Sequence, residues 1–485
     1  LSTSRVGPDD PRYATLVRGF NLRWAGTPAY VQVCSTTADV VAAVQEAVDS
    51  HKRITVQSGG HCYENFAVGN HGGVIIDMAG LNRVHYDRGL HAYSIEAGCT
   101  NWNIYWNLYK EFGLTIPAGS CYSVGAGGHL TGGGYGLLSR KFGLTVDWIW
   151  GVEIVVVDKA GKASAVIVTA DSPDSDERAL LWANQGGGGG NFGIVTRFLC
   201  RELPHAPAEA HIANLAWNWS DMTEPQFATL VGRYGSFLRD NSAPGSPYDG
   251  LFALLHLTVQ AAKQLTLTVQ YVGDRPELLR DFIHSINGDA KAGAIVAQVH
   301  PVGRNFLPLS TTDVTRLPWL YATQTLDGSG ANQRGKYKSA YMKQPFPESQ
   351  LKTMWKWLYT KNFNNAQALL QVDSYGCAIN AVAPDATAVA QRSSIMKLQY
   401  QTYWWPEKET QQNLDWIRGF YDEMYGPDGP QPDATMDGCY VNYPDCDLKD
   451  WAHLYYLGNY KPLQQVKLRW DPNDVFNHAQ SIRLP

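Results

Sequence analysis

Two side chains able to form covalent bonds stand sixty positions apart in this 485-residue chain. His61 follows Ser58-Gly59-Gly60 at the end of an expected strand, where a Gly-Gly turn presents the imidazole instead of burying it. Cys121 lies inside the densest glycine run of the chain, from Pro117 to Gly136, with eight glycines in twenty residues. An imidazole nitrogen and a thiolate are both nucleophiles. On residue type alone two readings stand side by side: a Cys–His hydrolytic pair, or a structural histidine and a small buried thiol. Hydrolysis fits less well, because no oxyanion scaffold or third orienting group is recognisable and the glycines would have no task.

Each glycine adds backbone entropy that folding must overcome, so such a run is out of place in a core helix. It makes sense where backbone N–H groups approach an anion or a flat cofactor. A second cluster, Gln185 to Gly193, precedes an expected strand and suits the same use. Neither is followed by the Gly-Lys-Ser/Thr of a phosphate-binding loop, and neither sits in a clean dinucleotide-binding strand–turn–helix.

The elements around these clusters follow from hydrophobic period. Strands are expected at residues 29–33, 53–57, 73–78, 92–97 and 193–198, and a hairpin at 153–158 and 165–169. Helices are expected at 38–48 and at 101–112, the second closed by Gly113. Beyond Pro204 the glycine clusters thin out. Alternating runs predict strands at 212–217, 251–259 and 265–272, with helices at 224–238, 278–286, 349–359 and 409–425. The expected class is α+β, in two domains. Residues 1–205 form the first, completed by 447–485, a stretch too short for a core of its own. Residues 206–446 form the second, an antiparallel sheet covered by helices.

Hydrophobic residues make up 44% of the chain, charged residues 18%, and the formal net charge is -5. That composition excludes a disordered chain and gives no basic footprint for nucleic acid. No run approaches the roughly 18 apolar residues of a membrane span. With 26 Tyr against 15 Phe and 16 Trp, the aromatic content suits wet pockets as well as cores, and a sugar or polycyclic ligand fits it. The eight cysteines make no C-x-x-C pair and are too sparse for a disulfide framework or a zinc site, so no metal is expected. The sequence starts Leu-Ser-Thr, from which a removed or omitted N-terminal segment is expected. Secretion after such removal and a bacterial cytoplasm both stay open, as does the oligomeric state.

Several motifs together resemble the berberine bridge enzyme-like flavin oxidases, which have the PCMH-type (vanillyl-alcohol-oxidase-like) FAD fold. They are Ser58-Gly59-Gly60-His61-Cys62, Gly119-Ser120-Cys121-x-x-Val124-Gly125-x-Gly127-Gly128-His129 and Gly132-Gly133-Gly134-Tyr135. Further along come Gly188-Gly189-Gly190-Asn191-Phe192-Gly193-Ile194, Tyr440-Val441-Asn442-Tyr443-Pro444-Asp445 and Trp470-Asp471-Pro472-Asn473. The match runs from about residue 25 to residue 482 in the family's order.

The resemblance implies FAD attached through His61 at the 8α-methyl carbon and through Cys121 at C6. The glycine and flanking residues just quoted, with Tyr440 and Asn442, would cradle it. A hydroxyl carbon releases hydride readily only as its O–H proton leaves, so a general base is needed. By resemblance Tyr443 is that base and Tyr135 a second active-site tyrosine. A phenol of ordinary pKa near 10 needs a positive neighbour to act at neutral pH, and Lys397 matches the family's lysine, with Gln399 as a polar partner. Asp373 and Tyr375 match a strand reaching the substrate. Val124 matches the position beside the oxygen-reacting face, where a small or β-branched residue goes with oxidases. Gln57 departs from the arginine common there, which removes one positive partner for the FAD diphosphate. The implied function is an FAD-dependent alcohol oxidase, with hydride transfer to flavin N5 and O2 reduced to hydrogen peroxide. Its substrate would be a bacterial secondary metabolite, glycosylated or polycyclic, or the attached sugar. An oligosaccharide oxidase giving a lactone, and a non-catalytic flavin-binding protein, are the alternatives.

Overall fold

Short apolar runs give three sheets in the computed structural model, which describes residues 4–288, 298–299 and 314–485. The first contains β1 (Ser4–Val6), β2 (Tyr30–Val33), β3 (Ile54–Gln57) and β4 (Val74–Asp77), in the order β1-β2-β4-β3. Both β2 and β3 run parallel to β4. The crossover is the helix Thr37–Asp49, which opens on a Thr36–Asp39 capping box and buries Val40, Ala43, Val44 and Ala47. Strand β3 therefore delivers the chain into the Ser58–His61 turn at the carboxyl end of a parallel pair.

The second sheet is antiparallel, β5 (Val84–Asp87), β6 (Ala92–Glu96), β7 (Gly151–Val157), β8 (Ala163–Thr169) and β9 (Ile194–Cys200), in the order β5-β6-β9-β7-β8. The expected hairpin is β7–β8. The expected helix at 101–112 is α-helical only over Asn101–Asn107; its last turn widens into a π-helical turn, Leu108–Phe112, before Gly113 at φ 68°. Periodicity over so few residues does not separate the two.

The third sheet is wholly antiparallel. It holds β10 (Glu209–Asn218), β11 (Leu251–Thr258), β12 (Gln264–Tyr271), β13 (Gln298–Val299), β14 (Thr315–Pro318), β15 (Arg334–Met342), β16 (Leu369–Ser374) and β17 (Met396–Trp404). The order is β13-β10-β12-β11-β16-β17-β15, with β14 also on β10. Helices Glu224–Asn241, Glu277–Asn287, Glu348–Leu358 and Thr410–Tyr425 cover one face, as expected. Leu255, Leu257, Leu267, Leu370, Val372 and Leu398 are buried core residues. Tyr400 packs edge-on against Phe420 at 5.1 Å. The intervening residues His256, Thr266, Gln371, Asp373, Gln399 and Gln401 line a cavity on the other face. An antiparallel sheet commonly turns such a polar face to water; here it faces the glycine-rich loops.

Residues 447–485 pack beneath those loops. The helix Tyr460–Trp470 lies on the helix Ser175–Asn184. Fully buried Lys467 pairs with Asp471 at 2.6 Å and donates to the Asn191 carbonyl at 2.8 Å. The Trp470-Asp471-Pro472-Asn473 motif is thus an ionic knot under the second glycine cluster. Among the described residues no helix is long and apolar enough to cross a membrane, and no cluster of His, Cys, Asp and Glu could hold a metal ion.

Candidate active site

A cavity of about 1420 Å³ lies between the polar face of the third sheet and the glycine-rich loops. Small-molecule pockets usually occupy ~300–1,000 Å³, so there is room for a cofactor and a second molecule. The loops meet because glycines let them cross. A Cβ on Gly59 would lie 2.3 Å from the Gly125 nitrogen, and one on Gly125 would lie 2.1 Å from the Gly59 nitrogen. That crossing brings the His61 and Cys121 segments to one end of the cavity. Asn101 holds the second segment, donating from Nδ2 to the Cys121 carbonyl at 3.0 Å.

The His61 ring stacks on Phe20 with centroids 4.5 Å apart, and its Nε2 is 2.8 Å from Ser123 Oγ. Burial pulls the imidazole down to about 4, with Asp327 opposing, so it is neutral at pH 7. Burial pushes the Cys121 thiol up to about 11, and here Asp327 adds to the effect. A strap from before β15 lies across this segment. Asp327 Oδ1 accepts from the Tyr122 amide at 2.9 Å, Ser329 Oγ accepts from the Ser123 amide at 3.1 Å, and Ser329 donates to Asp327 at 2.6 Å. In the sequence Asp-Gly-Ser is only a turn signal, and its partner 200 residues earlier was not legible there.

Of the expected cradle, Ser58, Gly59, Gly60 and Cys62 line the cavity. So do Gly119, Val124, Gly125, Gly127, Gly128 and His129. From the second cluster come Gly188, Gly189, Gly190, Asn191, Gly193 and Ile194, joined by Tyr440 and Asn442. Gly132 and Gly133 do not line it. Gly132 backs onto Asn442, whose Oδ1 would be 2.0 Å from a Cβ, and Gly133 backs onto Val389 and Tyr440. They let the segments behind the cavity wall approach.

Tyr443 sits in the turn after Tyr440, its amide donating to the Tyr440 carbonyl at 2.9 Å. Lys397 of β17 and Asp373 of β16 face each other in register and form an ion pair. The same ammonium donates to Tyr443 Oη at 3.0 Å. Lys397 is fully buried, 4.4 Å from the Tyr443 ring centroid and 4.6 Å from that of Tyr135. Burial holds the Tyr443 phenol well above its ordinary value, and the Asp373 carboxylate adds to that. Tyr135 lines the cavity, but its hydroxyl donates to the Ser374 carbonyl. Gln399 donates to Tyr63 Oη at 2.7 Å, and Tyr63 stacks on Tyr337 at 3.5 Å. Tyr375 is not brought to the cavity. It is fully buried behind Tyr135, with its hydroxyl donating to the Gln391 carbonyl at 3.1 Å. It lies beyond the end of β16, where the alternation that points Asp373 inward no longer holds.

The structure adds a polar chain that sequence reading missed. Asp373 accepts from Gln371 Nε2 at 2.7 Å, Gln371 Oε1 lies 3.1 Å from His256 Nε2, and His256 Nδ1 lies 3.1 Å from Thr266 Oγ1. It also adds a buried ionic network. Lys336 pairs with Glu64 and Asp445, each at 2.6 Å, and Lys338 pairs with Asp445 at 2.7 Å. Burial works against the Lys336 charge, but Asp445, Glu64 and Asp447 outweigh it and hold its pKa above the ordinary value. Glu64 is three residues from His61 and Asp445 two from Tyr443, so the network ties those two segments to β15.

The lining suits a flat dinucleotide. Among the described residues, Gln57 Oε1 and Asn101 Oδ1 are buried acceptors at the cavity without a partner, and a Cβ on Gly128 would meet no atom within 4 Å. A family model described as FAD binding domain matches residues 28–163, and one described as berberine and berberine like matches residues 439–483. The chain is 40% identical to the aclacinomycin-N/aclacinomycin-A oxidase of Streptomyces galilaeus, over 99% of its own length and 90% of that protein. It belongs to the berberine bridge enzyme-like family. The hexose oxidase of Chondrus crispus is 38% identical over 98% of this chain and 93% of the other. The solved glycopeptide hexose oxidase DBV29, in complex with teicoplanin, superposes with a TM-score of 0.91 at 36% identity, covering 100% of this chain and 99% of that one. This member of the berberine bridge enzyme-like family is thus an FAD-dependent, covalent-flavin oxidase.

Proposed function

We propose that the protein oxidises a hydroxyl group of a secondary metabolite, or of a sugar attached to one, with release of hydrogen peroxide. The observation that carries this reading is the Tyr443–Lys397–Asp373 constellation, set in the wall of a cavity with room for two molecules. His61 and Cys121 are the two tethers of the flavin. Two covalent bonds leave the protein free of wrapping the ring tightly, which allows the pocket to stay open. When bound, FAD would supply the hydride acceptor and the route for electrons to O2.

The chain's own residues bind and move the proton. Tyr443 Oη takes it from the substrate hydroxyl. Lys397 donates a hydrogen bond to that oxygen and so favours the phenolate against the burial that disfavours it. Asp373 fixes the ammonium, and the Tyr135 and Tyr443 rings hold it by cation–π contact. Gln371, Gln399 and Gln401 present uncharged hydrogen-bonding groups, suited to orienting the other hydroxyls of a sugar. Val124, small and β-branched, leaves access for O2.

The names of the relatives support both halves of the reading, one acting on an aclacinomycin and one a hexose oxidase bound to teicoplanin. A second reading, oxidation of a free sugar to a lactone, is favoured by the same polar wall and by the Chondrus crispus hexose oxidase. Peroxide release from a panel of glycosylated antibiotics, with mass analysis of the products, tests the first. Turnover of glucose or cellobiose, with no turnover of any glycosylated antibiotic, would replace it by the second.

A further inference from the structure

The segment around His61 carries more polar organisation than holding a ring requires. His61 Nε2 is 2.8 Å from Ser123 Oγ, and among the described residues no hydrogen bond reaches Nδ1. Ser123 is exposed and contributes nothing to the core, yet it is held in place: its amide donates to Ser329 Oγ at 3.1 Å, and Ser329 donates to Asp327 at 2.6 Å. Gly328, in the same strap, lies against Cys121; a Cβ there would be 3.3 Å from Sγ.

We propose that Ser123, fixed by the Asp327–Ser329 strap, is the positioning residue for self-catalysed attachment of flavin to His61. It sets the imidazole tautomer so that Nδ1 is the attacking nitrogen, and it carries the Nε2 proton away. This rests on the reading of His61 as an anchor. A neutral imidazole has one nucleophilic nitrogen, the one without the proton. With Ser123 Oγ accepting from Nε2–H, the free lone pair is at Nδ1. Attachment forms one N–C bond at the 8α carbon and breaks one C–H bond. The carbon's proton leaves to water, and its two electrons pass through the flavin to O2. The Nε2 proton leaves through Ser123, so two protons and two electrons convert O2 to hydrogen peroxide. Once the bond exists, Nε2 is an acceptor and Ser123 turns to donate to it. A hydroxyl serves in both states because it can do either. Asp327 supplies the negative charge that favours the transient imidazolium.

The test uses the full chain with Cys121→Ala, so that His61 is the only tether left, incubated with FAD in air. Samples are acid-precipitated over time, flavin in the pellet is measured, and the His61 peptide is weighed by mass spectrometry. Cys121→Ala should accumulate pelleted flavin on that peptide. Adding Ser123→Ala should slow the accumulation by at least about tenfold, the scale of losing a proton-transfer partner, with the folded state unchanged by circular dichroism. Adding Ser123→Thr instead should restore it. Equal rates for Ala and Ser at position 123, or no rescue by Thr, would overturn the proposal while leaving His61 an anchor. Full release of flavin from Cys121→Ala alone would remove His61 as an anchor and overturn both.

Discussion

The Tyr443 phenol is pushed above its ordinary value by burial and then by Asp373, while Lys397 donates to it from 3.0 Å. Replacing Asp373 by Asn removes the negative charge and leaves the Lys397–Tyr443 pair to release its proton more readily. The pH profile of flavin reduction by substrate should then move to lower pH, measured by stopped-flow absorbance; an unmoved or upward-shifted profile contradicts the arrangement. Tyr443→Phe should leave the flavin covalently held and slow its reduction by more than about tenfold, as expected for a lost base. A near-normal reduction rate would remove Tyr443 from that role. The sequence made these residues legible through resemblance. What it did not reveal was that Tyr375 faces away, because strand ends are not marked by period, or that Tyr135 commits its hydroxyl to a carbonyl 239 residues later.

Among the elements, β15 was invisible to hydrophobic pattern. Two of its buried positions are Lys336 and Lys338, which read as solvated charges until the Asp445 turn and the Glu64 loop close over them. The same holds for β16 and β17, where Gln371, Gln399 and Gln401 occupy the positions at which an ordinary half-buried strand meets water. The helices of the third sheet were legible, since each buries an apolar stripe against the sheet. Lys336→Met would leave Glu64 and Asp445 sharing fewer cations in a buried site, and breaking such a pair costs about 3–5 kcal/mol. The thermal midpoint should fall. If the network positions the turn that holds Tyr443, flavin reduction should also slow in the wild-type background but not in Tyr443→Phe. A midpoint unchanged by Lys336→Met contradicts the weight given to this network.

For the molecule as a whole, histidines kept neutral by burial make the fold less stable as pH falls below 6.5. His129 is lowered to about 4 and its Nε2 accepts from the Gly119 amide at 2.9 Å; His478 is lowered to about 3 and stacks on Phe66 at 4.4 Å. The unfolded chain protonates both near 6.5, well before the folded one does. Unfolding therefore takes up protons in this window, and stability falls with pH. The thermal midpoint should drop as pH goes from 6.5 to about 5, and a flat or rising midpoint there contradicts the buried, neutral state. Two of the three sheets could be sketched from short apolar runs and turns. Their assembly around one cavity could not, because the crossing of Gly59 with Gly125 and the arrival of residues 476–480 at the cavity are contacts between distant segments.

The proposed function requires one flavin held by His61 and Cys121 together, in front of Tyr443. The direct test is mass spectrometry of the yellow fraction from denatured, proteolysed protein. A single species joining the His61 peptide and the Cys121 peptide through one FAD is the predicted result. Flavin released free, or bound to a peptide containing neither residue, would contradict it.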